Sequence, residues 1–252
     1  MDRNKIKIIA LISMLLDHIG AFIIYPLYMD ACIVDGVNIM GDLIPAKAKA
    51  LYFVYLVLRI IGRLAFPIFA FMTVEGFRKT KNLKMYLKRL FIFAVISEIP
   101  YDLVRGAGIF DPSSQNVIWT FIIAVIMMWA LEKISQKNEN KTCRIVLTAL
   151  TVSAAAAVST FSDGGFGGIL LIASMYLFGR NKTYYWLSSL ISLCIMSIQF
   201  MPIQMFAAAS LILLEKYNGE KGKGFKYLFY IFYPAHLFII WLISPLAISL
   251  VG

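Results

Sequence analysis

The sequence predicts an all-α membrane bundle of about nine transmembrane helices, with its amino terminus inside and its carboxyl terminus outside. Three observations predict it. Of 252 residues, 60% are hydrophobic and 15% charged, against roughly 45–50% and 25% in soluble domains, so too little polar surface exists to coat a water-soluble globule. The apolar residues gather into segments near the ~20 residues that a bilayer crossing needs. The 24 basic residues then fall almost wholly on one side of the arrangement, as cytosolic loops do. A soluble enzyme, a disordered tail and a disulfide-stapled secreted module are excluded together.

The segments follow in order. The first, 6–28, begins behind Arg3, Lys5 and Lys7 and superficially resembles a signal peptide. Its apolar run is too long, contains Asp17 and His18, and lacks a small-residue cleavage site, so it reads as a span. The second, 51–76, holds Arg59 and Arg63, and the third, 86–105, holds Glu98 and Asp102. Segments 116–132 and 145–161 follow. The sixth (166–179) and eighth (202–214) are short, at 14 and 13 residues, and either borrow flanking residues or cross only part of the bilayer. Segments 184–200 and 227–250 complete the set, the last carrying Pro234 and His236. The whole chain, 1–252, reads as one transmembrane domain without internal repeats.

Orientation follows from the cations. Nine spans with an inside amino terminus place Arg3, Lys5, Lys7, Arg78, Lys79, Lys81, Lys84, Lys88, Arg89, Lys133, Lys137, Lys141, Arg144, Arg180, Lys182, Lys216, Lys221, Lys223 and Lys226 inside, nineteen of the 24. Outside lie Lys47, Lys49 and Arg105. Merging segments seven and eight would strand the lysines of 216–226 on the wrong face. The net charge of +10 is therefore a topology signal, with no case for nucleic acid. The three cysteines have no short spacing and read as free thiols, Cys143 and Cys194 as structural and Cys32 as exposed.

Ionisable residues inside spans cost ~2.5–3.5 kcal/mol each on insertion scales and default to a functional reading. At ~1.5 Å rise per residue, His18, Arg63 and His236 all fall in the middle third of a ~30 Å core. Asp17 and His18 are adjacent and point about 100° apart on a helix, so they do not pair; Asp17 is expected to serve His236 or Arg63 across helices. Arg59 and Arg63 share a helix face, as do Glu98 and Asp102. With spans two and three as antiparallel neighbours, Arg59 is expected level with Asp102 and Arg63 near Glu98, as a charge ladder. The bland reading of a membrane histidine is interhelical packing; two at one depth beside an arginine favour catalysis.

Other features are weaker. In the run Asp163-Gly164-Gly165-Phe166-Gly167-Gly168, Gly164 and Gly168 have the spacing of close helix packing, while Asp163 is placed to line an acceptor entrance. The stretch Lys216–Lys226, with its glycines, reads either as an attractor of phosphates on the cytosolic side or, more often for such a stretch, as a solvated positive-inside loop; it matches neither a P-loop nor a dinucleotide fingerprint. Gly-x-Ser-x-Gly is absent around Ser162, and no spacing suits a metal site.

The strings Leu16–Gly20 (LDHIG), Gly62–Phe71 (GRLAFPIFAF), Gln115-Asn116-Val117 and Phe232–Leu237 (FYPAHL) occur in an order that resembles the TraX family. These are polytopic membrane proteins associated with acetylation of the pilin amino terminus, related to a broader set of transmembrane acyltransferases that use cytosolic acetyl-CoA. The resemblance covers nearly the whole chain and marks Asp17, His18, Gly62, Arg63, Phe66, Pro67, Asn116, Tyr233 and His236. It implies a bacterial inner-membrane acetyltransferase without a metal. The expected partners are acetyl-CoA, the lipid bilayer and an acceptor that is a pilin-like peptide, a glycan or a small molecule.

Acetyl transfer needs a base for the acceptor and a donor for the tetrahedral oxyanion, worth typically ~10²–10⁴-fold and more. On this reading His18 is the general base or acetyl carrier, His236 a second acid/base group and Asp17 an orienter. Arg63 stabilises the oxyanion or anchors a CoA phosphate. Asn116, Asp163, Glu98, Tyr233 and Arg59 are expected to bind substrate. The rival class is a proton-coupled secondary transporter, which uses buried His, Asp and Arg near the midplane equally well. A non-enzymatic assembly factor is a third.

Overall fold

The computed structural model describes residues 1–34, 37–38, 44–179, 181–199, 202–220, 222 and 228–251. Arg180, Lys221, Lys223 and Lys226, four of the cations used for orientation, lie outside the described residues, as do the predicted segment ends at 200 and 227.

The predicted segments are helical, with ends displaced by a few residues, and the first, second and eighth are each divided. In chain order the helices are α1 (Arg3–Ile19), α2 (Tyr25–Ala31), α3 (Ala46–Gly62), α4 (Ala65–Lys79), α5 (Leu83–Val104), α6 (Val117–Lys137), α7 (Lys141–Ser159), α8 (Gly165–Phe178), α9 (Lys182–Gln199), α10 (Ala209–Glu215) and α11 (Leu228–Val251). A two-residue antiparallel ladder, β1 (Ile33–Val34) with β2 (Val37–Asn38), follows α2. Among the described residues, five helical stretches are long and apolar enough to cross a membrane: Arg3–Ala31, Ala46–Lys79, Val117–Lys137, Lys141–Ser159 and Tyr230–Ala247. The short eighth segment is a 3₁₀ helix (Pro202–Ala208) running into α10.

Side-chain caps start the helices where the sequence leaves short polar residues. Asp2, Asn82, Asn116, Asn140 and Asn181 each accept a bond from the backbone N–H two or three residues on, at 2.9–3.1 Å, satisfying an otherwise orphaned helix donor. Two interruptions shape the site. Between α1 and α2 the chain winds through a π-turn, Gly20–Ile24, closed by the Tyr25 N–H on the Gly20 carbonyl; such turns insert one extra residue into an otherwise continuous helix. The second predicted span breaks at Arg63-Leu64, where Pro67 offers no N–H to the carbonyl four residues earlier.

Packing corrects one expected neighbourhood. α4 packs on α1, α6 and α8, and α5 packs on α6 and α11, so the second and third segments are not the close antiparallel pair that a charge ladder requires. Gly164 and Gly168 do serve close packing: a Cβ at either would stand 2.7 Å from Thr120 or Phe66 side-chain atoms. The cysteine expectation reverses, Cys32 being buried and Cys143 and Cys194 exposed, because Cys32 caps α2 while the other two sit on outward helix faces.

Two groups of loops gather at opposite ends. At one end the Met1 amine donates to the Lys216 carbonyl, Arg3 N–H to Glu220 (3.0 Å), and Lys79 Nζ to the Gly219 carbonyl (3.2 Å). At the other, Gln115 and Ser162 pair in a bridge, with Gln115 N–H to Phe161 O at 2.7 Å and Asp163 N–H to Gln115 O at 2.9 Å.

Candidate active site

A cavity of about 450 Å³ lies among α1, α3, α4, α5, α6, α9 and α11, lined by Asp17, His18, Arg59, Arg63, Tyr101, Arg105, Asp163, Gln204 and Tyr233, with an apolar wall that includes Phe66, Phe69 and Leu237. Six of the nine predicted site residues line it and a seventh, His236, is bonded through its side chain to His18; Glu98 and Asn116 are not among the lining residues.

The two histidines meet. His18 Nδ1 lies 2.6 Å from His236 Nε2, and His236 Nδ1 lies 2.7 Å from the Phe232 carbonyl. A carbonyl oxygen only accepts, so His236 carries its proton on Nδ1 and, when neutral, offers a lone pair at Nε2. His18 must then donate from Nδ1, which leaves its Nε2 unprotonated and without a hydrogen bond among the described residues. His236 is buried and held between rings, with Phe232 stacked at 4.9 Å and Tyr233 tilted at 5.7 Å. This is a backbone-anchored relay that fixes the tautomer of the cavity-lining imidazole.

Asp17 faces the arginines. Arg59 Nη1 donates to Asp17 Oδ2 at 2.7 Å, Arg63 Nη2 donates to Asp17 Oδ1, and Arg63 Nε donates to the Arg59 carbonyl at 3.1 Å. One carboxylate thus holds two guanidinium groups, and the cluster keeps one net positive charge. All three side chains are largely buried, at 12–19% exposure, where each charge depends on its partner. Gly62 makes the approach possible: a Cβ there would stand 2.3 Å from Asp17 atoms. Of the two expected partners of Asp17, the structure gives Arg63, and Asp17 orients guanidinium groups instead of an imidazole.

The expected ladder is absent among the described residues. Glu98 accepts from Asn116 N–H (3.1 Å), Asn116 Nδ2 (2.5 Å) and Trp119 Nε1 (2.8 Å). Asn116 is fully buried and also donates to the Ala94 carbonyl. Both therefore lock the start of α6 onto α5 and are not among the residues that line the cavity: the carboxylate accepts three bonds and the amide caps the helix. Asp102 accepts from Asp111 N–H (2.9 Å) and holds the 105–111 loop. Asp111, partly exposed in that loop, has its carboxyl held below the usual carboxylate range by the Ser113 hydroxyl and N–H.

Asp163 lines the cavity at the end opposite Met1, with the Tyr101 hydroxyl 3.5 Å away. Ser162 is engaged structurally by Thr120 (2.8 Å) and Ser159 (3.0 Å). Tyr101, Arg105 and Gln204 were not foreseen as lining residues. Tyr101 lies one turn from Glu98, and Gln204 is the polar residue of an apolar run, but neither signal says which way a helix faces.

The model of the TraX protein family matches residues 2–244. The chain belongs to the TraX family. A similar relative is the probable fimbrial assembly protein FimC, serogroup H1, of Dichelobacter nodosus, 26% identical over 270 aligned residues that cover 94% of this chain and 96% of the relative. No solved structure matches. The TraX match takes in α1 through most of α11 and so includes the His18–His236 relay and the Asp17 cluster.

Proposed function

We propose that this protein is an acetyltransferase of the bacterial inner membrane that moves an acetyl group from cytosolic acetyl-CoA to an amine or hydroxyl acceptor. The observation that carries the reading is the unprotonated Nε2 of His18, fixed by His236 and the Phe232 carbonyl and set in one cavity with a net-positive arginine pair.

In this mechanism the acceptor gives its proton to His18 Nε2 as its lone pair attacks the thioester carbon. The imidazolium that forms still donates from Nδ1 to His236, which is a positioning residue in the neutral state and a charge-stabilising one in the transition state. The carbonyl oxygen becomes an oxyanion against Arg63 and Arg59, whose geometry Asp17 sets in advance. Collapse breaks the carbon–sulfur bond, and the departing CoA thiolate takes the proton from His18. Asp163 and Tyr101 stand on the acceptor side, with Tyr233 packing His236.

The remaining parts of the proposal are nine spans with a cytosolic amino terminus, supported by the gathering of Met1, Lys79 and Lys216 at one end. The name of the fimbrial relative favours a pilin amino terminus as acceptor, with an envelope glycan or small molecule as alternatives. The test is transfer of labelled acetyl from acetyl-CoA by purified protein in liposomes, using a pilin amino-terminal peptide and envelope glycans as acceptors. Wild type should transfer and His18→Ala should not. Proton-gradient-driven uptake with no acetyl-CoA consumption would replace this reading with secondary transport.

A further inference from the structure

A second cavity, of about 460 Å³, lies at the end of the molecule that holds Met1, and its lining includes Arg78, Gly179, Lys182, Tyr185, Trp186 and Glu215. It shares no lining residue with the first. Its polar groups are only partly engaged. Arg78 Nη2 donates to the Tyr176 carbonyl at 2.7 Å and the guanidinium lies over the Tyr176 ring, while its other nitrogens have no hydrogen bond among the described residues. Gly179 leaves room for that guanidinium, since a Cβ there would stand 3.1 and 3.2 Å from its terminal nitrogens. Glu215 Oε1 takes both Lys182 Nζ and Trp186 Nε1 at 2.8 Å. Two cations against one carboxylate leave a net positive charge. The Tyr185 hydroxyl is buried with no partner among the described residues, an orphaned donor that an acceptor-rich ligand would satisfy.

We propose that this cavity binds a phosphate-bearing ligand, its oxygens held by Arg78, Lys182 and the Tyr185 hydroxyl. A fork of guanidinium donors matches phosphate oxygens, and the Trp186 and Phe71 side chains supply an apolar wall for what the phosphate is attached to. Two sources carry that chemistry: the nucleotide portion of a cytosolic donor and the headgroup of an anionic phospholipid. The site stands on its own geometry; only the choice of nucleotide probe rests on the acetyl-CoA reading.

The experiment uses the full chain in phosphatidylcholine nanodiscs titrated with adenosine 3′,5′-bisphosphate by calorimetry. In parallel, native mass spectrometry reads phosphatidylglycerol retained from mixed nanodiscs. Saturable binding of either probe, weakened about tenfold by Arg78→Gln and by raised salt, supports the site and names its source. Tyr185→Phe removes a hydroxyl that has no partner to lose, so it should keep the melting temperature and still weaken binding; it decides the matter if the arginine variant fails to fold. Binding of neither probe, or binding unchanged by Arg78→Gln, Lys182→Gln and Tyr185→Phe alike, overturns the proposal. A wild type that binds a probe but transfers no acetyl group sinks the catalytic reading and leaves this one standing.

Discussion

The two cavities are nearly equal in volume, about 450 and 460 Å³, yet they are built in opposite ways. In the first, the charged groups deepest in the protein are bound to one another: two arginines to one aspartate, one histidine to the next, the last histidine to the backbone. In the second, the cations are exposed and loosely tied, and a buried hydroxyl is left without a partner. Mutual commitment fixes orientation before a ligand arrives, as bond-making chemistry requires. Loose commitment leaves donors for a ligand to engage. The contrast teaches that single-atom changes in the first cavity should disturb the groups around them, whereas those in the second should leave stability intact and be felt only by a ligand.

Breaking the relay should have the largest effect. His18→Ala is expected to lower acetyl transfer by at least ~10²-fold, the scale of a lost general base, with the helical circular dichroism of wild type retained. His236→Gln should cost less and alter the pH profile, because His18 keeps its ring but loses the partner that fixes its proton; an unaltered profile would refute the relay. Removing the anion from the cluster comes next. Asp17→Asn leaves two largely buried guanidinium groups without a counter-charge, and loss of one partner of a buried pair costs about 3–5 kcal/mol, visible as a lower thermal midpoint. Gly62→Ala should mimic it by steric displacement of Asp17. Glu98→Gln should cost about 1–3 kcal/mol for weakened bonds at the α6 start, while transfer per folded molecule stays unchanged. The smallest effect belongs to Lys182→Ala: its exposed pair with Glu215 is worth about 0–1 kcal/mol, so stability should barely move.

The sequence made the segments legible because a bilayer crossing imposes length and composition directly: the apolar runs are helical, but 6–28, 51–76 and 202–214 are each divided, and five helical stretches among the described residues are long and apolar enough to cross a membrane. It also made depth legible. His18 and His236, assigned to one level by counting rise per residue, are in contact. Azimuth was not legible. Arg59 and Arg63 share a face, as do Glu98 and Asp102, but nothing in their spacing says that the first pair faces α1 while Glu98 turns to the start of α6. The eye was drawn to opposite charges at matching levels, whereas Glu98 found a tryptophan N–H and an asparagine, partners without charge. The same blindness hid Tyr101 and Gln204 and inverted the burial of the cysteines.

The π-turn after His18 has a consequence of phase. An α-helix advances about 100° per residue, so the additional residue in Gly20–Ile24 rotates everything after it against everything before it. Upstream, the rotation leaves His18 on His236; downstream, it packs Tyr25 and Tyr28, their rings tilted, against Tyr55 and Tyr52 of α3. Deleting a single codon there would alter hydropathy and charge almost not at all, yet the helix would keep one of these appointments only by missing the other.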